Sequence, residues 1–189
     1  MAVATATMID TIHDDVHNIP VTAPKVAGYS TGTADIRWTA ADWDRFPHSG
    51  KVRINQDGST DISEAGVGDV ADYEPGAFTE AQVLEWVKLR KHSNLACAVY
   101  VATANQATLT RALRAAGHTG VDLWVANWSL SEAEAARLLT TSGDYPVVAV
   151  QWASPTSNPN TPVPGSTRTL AEANVDLSVT VASWFAYKG

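Results

Sequence analysis

The apolar positions of the chain fall into short, nearly continuous runs separated by stretches with helical spacing. Seven runs have β character: "KVAGYS", "KVRINQ", "DVADYE", "ACAVYVA", "VDLWVANW", "VVAVQWA" and "VDLSVTVAS". Valine and aromatic residues dominate them, and several lack the apolar/polar alternation of a half-exposed strand, which is the pattern of strands buried on both faces. Helical signals lie between them. Thr79 with Gln82 forms a capping box that opens an apolar series at Val83, Leu84, Trp86 and Val87. The segment "NQATLTRALRAAGH" puts Leu109 and Leu113 on one face and ends at Gly117, suited to the position after a helix. Ser131 with Glu134 forms a second capping box, with a stop near Gly143, and "TAADWDRF" has room for a turn or two of helix.

Strands alternating with helices predict an α/β fold with a parallel sheet and crossover helices. Seven strand candidates with about four helices fit an irregular, shortened (β/α) TIM-like barrel. A regular barrel of this type takes about 250 residues, with about 200 the usual minimum, and this chain has 189. Some crossovers are therefore expected to be loops, above all "DGSTDISEAGVG" between the second and third runs. The stretch "SPTSNPNTPVPGSTRT" reads as a long loop before the last strand. Residues 1–24 are rich in Ala, Thr and Asp, have no sustained period and close with Pro20 and Pro24. They read as an extended N-terminal arm on a barrel domain spanning 25–189, held either by partner subunits or by docking on its own domain.

Composition narrows the function classes. With 45% hydrophobic and 17% charged residues the chain supports one sizeable core. A net charge of −7, with no local basic block, argues against nucleic acid as a partner. The single cysteine, Cys97, sits inside an apolar run and reads as a buried core residue. His13 and His17 have helical i, i+4 spacing but no further ligands beside them, so no metal is expected. Neither "GVGD" nor "STGTAD" completes a dinucleotide-binding glycine pattern, so no cofactor is expected either. No apolar stretch reaches membrane-spanning length, and the N-terminus lacks the basic start and apolar run of a signal peptide, so synthesis in a cytoplasm is expected.

The candidate chemistry starts at "ADYEPG". Asp72 and Glu74 flank Tyr73 at the end of an apolar run, and residues i and i+2 of a strand share a face, with Cα atoms ~6.5–7 Å apart. At the C-terminal end of a parallel barrel strand, that face looks into the usual active-site mouth. Two neighbouring carboxylates near buried aromatics separate in pKa, as glycosidic cleavage by a protonated acid requires. A chance Asp-x-Glu is more often a solvated pair, so the rest of the chain has to support the reading. It supplies Trp124, Trp128 and Trp152 near strand ends, where indole faces suit the apolar C–H faces of sugars, although core packing is the commoner use of tryptophan. It also supplies Asp176 at the start of the last run.

The order "DYE", "AVYVAT", "DLWVANW", "VVAVQWAS", "VDLSV", spanning about Val26 to Thr180, resembles the glycoside hydrolase family 25 lysozymes. The resemblance implies a muramidase-like irregular barrel directed at peptidoglycan or a related glycan, of the kind found in phages and bacteria. It casts Glu74 as the general acid. Asp72 becomes the carboxylate that orients the substrate N-acetyl group or stabilises developing positive charge, and Asp176 the last-strand acid. Tyr100 and Trp124 become mouth aromatics. Three positions depart from the pattern. Tyr29 and Ser30 stand where the family's first strand carries an acid, Asn55 does not replace it, and Gln151 precedes Trp152 in reversed order. These departures leave open a non-catalytic alternative: a virion structural, decoration or glycan-binding protein that reuses the barrel and is tied to partners by residues 1–24. Either use fits a protein carried on a virion or released by lysis.

Overall fold

The computed structural model describes residues 3–59 and 68–185. Eight strands close into a barrel in chain order: β1 (Thr5–Asp10), β2 (Lys25–Tyr29), β3 (Gly50–Asn55), β4 (Val70–Tyr73), β5 (Ala98–Ala102), β6 (Asp122–Ala126), β7 (Val147–Ala153) and β8 (Asp176–Val181). The seven β-type runs are β2 to β8. All four helical signals form, as α1 (Ala40–Asp44), α2 (Glu80–His92), α3 (Thr103–Ala115) and α4 (Glu132–Leu138). Both anticipated capping boxes are made, at Thr79/Gln82 and Ser131/Glu134, and Thr39 with Asp42 adds another on α1. A short α5 (Leu170–Ala173) and a 3-10 helix (His13–Asn18) complete the described elements. Most of the anticipated "DGSTDISEAGVG" loop lies outside the described residues.

Two expectations are corrected. The segment expected to be an extended arm instead supplies a barrel strand, Thr5–Asp10. It pairs in parallel with β2 and, over its whole length, antiparallel with β8. Met8, Ile9 and Asp10 are buried. The Ala/Thr-rich first half of β1 has no apolar period, yet threonine is a good strand former, and pairing on both sides decides the matter. A domain boundary at 24/25 would cut β1 from the barrel it closes. The sheet is also mixed. β1 to β7 run parallel, whereas β8 is antiparallel to both of its neighbours. An antiparallel closing strand needs no crossover helix running the length of the barrel, which helps a chain of 189 residues complete eight strands. It also brings the first residue of β8, rather than its last, to the mouth.

Strand periodicity divides the apolar residues between two environments. Ala98 and Tyr100 of β5 face the barrel interior with Met8, Ala27, Val52, Val70 and Trp124. Val99 and Val101 face outward onto Val83, Trp86 and Val87 of α2 and Leu109 and Leu113 of α3. Each fully buried leucine contributes about 1.5–3 kcal/mol by leaving water. Burial on both faces is why these strands read as continuous apolar runs. Outside β1 and β2, Ile9 and Val26 pack with Trp38, Phe46 and Leu170. There Trp38 lies so close over β2 that a Cβ at Gly28 would sit 2.3 Å from its ring.

The base of the barrel is plugged. The buried Lys25 ammonium donates to the carbonyl of Val181, at 2.9 Å, and to that of Trp184. Burial pulls its pKa down to about 8. The Trp184 ring stands edge-on to Trp124, centroids 6.3 Å apart. Access is therefore from the opposite end, where β1 to β7 finish and β8 begins. No helix among the described residues is long and apolar enough to cross a membrane.

Candidate active site

The strand ends deliver a ring of polar side chains to the open mouth. Asp10 ends β1, and its register partner across the antiparallel pair is Asp176, the first residue of β8. Asp72 lies on β4 directly beside Tyr100 of β5, which in turn lies beside Trp124 of β6. Glu74 follows β4 by one residue. Together with Tyr29, Ile54, Trp128 and Gln151, these residues enclose a cavity of about 170 Å³.

Two shallower depressions flank it. One, of about 320 Å³, shares Asp10, Tyr29, Trp128 and Asp176 with the central cavity and extends over Thr11, Ser154, Thr156 and Asn174. The other, of about 230 Å³, lies on the far side of Glu74 against Tyr73, Pro75, Phe78, Thr79 and Asn105. Glu74 thus stands on the boundary between the central cavity and an outer depression, while Asp10, Asp72 and Asp176 lie on the inner side of that boundary.

A hydrogen-bond network fixes the floor. The Gln151 amide nitrogen donates to Asp176 Oδ2 at 2.8 Å and, more weakly, to Asp10 Oδ2 at 3.4 Å. The Tyr100 hydroxyl donates to the Gln151 amide oxygen at 2.5 Å. Trp124 is fully buried, donates from Nε1 to Ser178 Oγ at 3.0 Å, and meets the Tyr100 ring edge-on at 5.0 Å. Asp10 Oδ1 and Asp72 Oδ1 are buried without a protein partner. Buried carboxylate oxygens normally find donors, so these two are available to a ligand.

Four carboxyl groups around one largely buried cavity cannot all ionise at ordinary carboxylate pKa values. Burial pushes Asp72 up to about 7, with help from the charge of Glu74. Burial likewise raises Asp176 to about 7, against a lowering by the Gln151 hydrogen bond and with a further rise from Glu74. Asp10 is raised well above 3.8, first by burial and then by Asp176. Glu74 is raised by burial, opposed by its hydrogen bond with Tyr100. Tyr29 and Tyr100 are raised by burial and by the surrounding acids, so both remain neutral hydroxyls. The site holds protons at pH values where exposed carboxylates have lost theirs.

Of the residues singled out from sequence, Asp72, Glu74, Asp176, Tyr100, Trp124 and Trp128 converge on this cavity. Trp124 serves as floor, whereas Trp128, 41% exposed, offers a face at the rim. Trp152 does not line the cavity. It neighbours Gln151 in an extended strand, faces the opposite side and packs partly buried against the apolar clusters. The expectation of a first strand without an acid is corrected too. Tyr29 and Ser30 lie at the end of the second barrel strand, and the first strand ends in Asp10. Its signal was the buried pair Ile9-Asp10 closing "TATMID", hidden by the reading of that segment as an arm. Gln151 was missed as a site residue. Asn55 stays outside, accepting from Thr31 Oγ1 at 3.1 Å and donating to the Ser59 carbonyl at 2.8 Å. His13 spends its Nδ1 on Asp42, 2.7 Å away.

No family model, curated protein or solved structure matches the chain. What the site can do follows from its own geometry.

Proposed function

We propose that the chain is a TIM-like muramidase-type glycoside hydrolase, cleaving a glycosidic bond in peptidoglycan or a related cell-wall glycan. The observation that carries this is the position of Glu74, a carboxyl group with a raised pKa on the boundary between a carboxylate-lined cavity and an outer depression. A general acid in glycoside cleavage must reach the oxygen joining two sugars, one on either side of it. In this arrangement one sugar occupies the central cavity, and its neighbour, the leaving group, lies against Phe78 and Asn105. Glu74 protonates the leaving oxygen. Asp72, behind it, stabilises the positive charge developing on the sugar ring or orients an N-acetyl group. Asp10 and Asp176, bridged by Gln151, bind hydroxyls or position water. Trp128 gives the glycan an apolar face to stack on.

The test is loss of turbidity of cell-wall suspensions, comparing the wild type with Glu74→Gln. Clearing by the wild type alone supports hydrolysis. Equal clearing by both, or none by either across several walls, defeats it.

A second reading, glycan binding without turnover, is favoured by the exposed Trp128 at the rim. It predicts retention on cell wall that Trp128→Ala weakens, with no soluble product. A tie to partner subunits through residues 1–24 would have to use the part of that segment outside Thr5–Asp10, which pairs within the barrel.

A further inference from the structure

The lining of the barrel mouth is one-sided in both charge and hydrogen bonding. Asp10, Asp72, Glu74 and Asp176 line the central cavity, and Glu80 joins Glu74 on the outer depression. No lysine, arginine or histidine among the described residues lines the cavity or either flanking depression. The side-chain donors of the cavity are mostly spent within the protein. The Tyr100 hydroxyl donates to Gln151 at 2.5 Å, the Gln151 amide to Asp176 at 2.8 Å, and Trp124 Nε1 to Ser178 at 3.0 Å. Acceptors are in surplus. Asp10 is 5% exposed and Asp72 2%, both line the cavity, and Oδ1 of each has no protein partner. A buried carboxylate oxygen without a donor is costly, and a ligand that brings donors together with positive charge removes that cost.

The fitting cation is not a bare ion. Among the described residues no three acid, histidine or cysteine side chains are gathered to hold a metal. Asp10 and Asp72 stand on β1 and β4, with β2 and β3 between them, and Tyr29 and Ile54 fill the wall along that arc. A charge carried on a larger body suits this spread, and the exposed indole of Trp128 at the rim asks for an apolar face on the same body. We propose that the barrel mouth selects a glycan whose bound sugar carries a free, protonated 2-amino group, as in a de-N-acetylated cell-wall glycan, with Asp72 and Asp10 taking the ammonium. This rests on the glycan reading of the site and names the chemical form of the sugar. An ammonium brings three donors and no acceptor. An N-acetyl group in its place is neutral, brings a single N–H, and turns a carbonyl oxygen toward a wall of acceptors. A lysine side chain of a peptide carries the charge but has no ring face for Trp128.

The experiment is isothermal titration calorimetry at neutral pH on the full chain carrying Glu74→Gln, which removes turnover and leaves Asp10 and Asp72 in place. The probes are two oligomers of equal length, one of glucosamine and one of N-acetylglucosamine, with trilysine as a third. The glucosamine oligomer should bind at least about tenfold more tightly than its N-acetylated counterpart, and added salt should shrink the difference. Asp72→Asn and Asp10→Asn each keep an acceptor oxygen but remove the charge, and each should narrow the ratio. Thermal melting identifies which of the two variants folds as the parent does, and that variant carries the comparison. A ratio unchanged in the folded variants, or trilysine binding as tightly as the glucosamine oligomer, means attraction to the acidic protein at large and overturns the proposal. An N-acetylated oligomer that binds equally well or better defeats the amine preference and leaves the glycan reading standing. Failure of both oligomers to bind defeats the two together. Because the readout needs no turnover, absence of wall clearing counts against hydrolysis alone.

Discussion

Replacing Asp72 by asparagine keeps the shape of the side chain and removes its ionisation. Asp72 is 2% exposed, and its Oδ1 has no protein partner. Its pKa rises from 3.8 to about 7 on folding, so the folded state holds the proton more tightly than the unfolded chain does. Its contribution to stability is thus most favourable below about 3.8 and is lost as the pH rises through about 7. At about 1.36 kcal/mol per pH unit, the ionised side chain above pH 7 costs the fold about 4 kcal/mol relative to the neutral acid. Asparagine avoids that charge but buries an amide whose donors lack partners, at about 1–3 kcal/mol. The balance is a gain of about 1–3 kcal/mol near pH 8.5, and no gain, or a small loss, near pH 4. A domain of this size shifts Tm by about 2–4 °C per kcal/mol. Thermal unfolding followed by circular dichroism at both pH values should therefore show Asp72→Asn melting several degrees above the wild type in alkali and level with it, or lower, in acid. A variant destabilised equally at both pH values would refute the claim that an ionised Asp72 burdens the fold. A stability gain on removing a buried ionisable group is the stability–function trade expected if that group is kept for function.

Other consequences are directly measurable. Glu74→Gln should lower the rate of glycan cleavage by about 10²–10⁴, the usual worth of a general acid, with retention on cell wall preserved in a sedimentation assay. Trp128→Ala should weaken that retention while the melting curve stays unchanged, because the side chain is 41% exposed; an unchanged affinity would remove Trp128 from the site. Lys25→Ala should destabilise the fold by about 2–4 kcal/mol in urea unfolding, since the carbonyls of Val181 and Trp184 lose their donor. Deleting residues 1–10 should abolish cooperative unfolding, because it strips β1 from between β2 and β8; a truncated chain that still melts cooperatively would show that β1 is dispensable.

The strands buried on both faces were the easiest part of the fold to read, because burial leaves a run such as "ACAVYVA" almost without polar residues. Helix starts were legible where a capping box marked them, at Thr79 and Ser131. β1 was not legible, since half of it is Ala and Thr and its stability comes from pairing with β8, some 170 positions away in sequence. That one miss concealed Asp10 and made Tyr29 look like a first-strand residue lacking its acid. The antiparallel sense of β8 was equally hidden, because strand direction leaves no trace in apolar periodicity. Asp72 and Glu74 were legible as a same-face pair and Asp176 by its place before the last strand. The role of Gln151 depends on an amide orientation set by two acids from opposite ends of the chain, and no local pattern carries that.

The central claim is that water is added across a glycosidic bond at the barrel mouth. Purified peptidoglycan incubated with the protein in heavy-oxygen water, with the soluble products read by mass spectrometry, tests it most directly. The account predicts fragments carrying one heavy oxygen at a new reducing end, produced by the wild type and lost in Glu74→Gln. Fragments without the label, or labelled fragments formed equally by the Glu74→Gln protein, would contradict it.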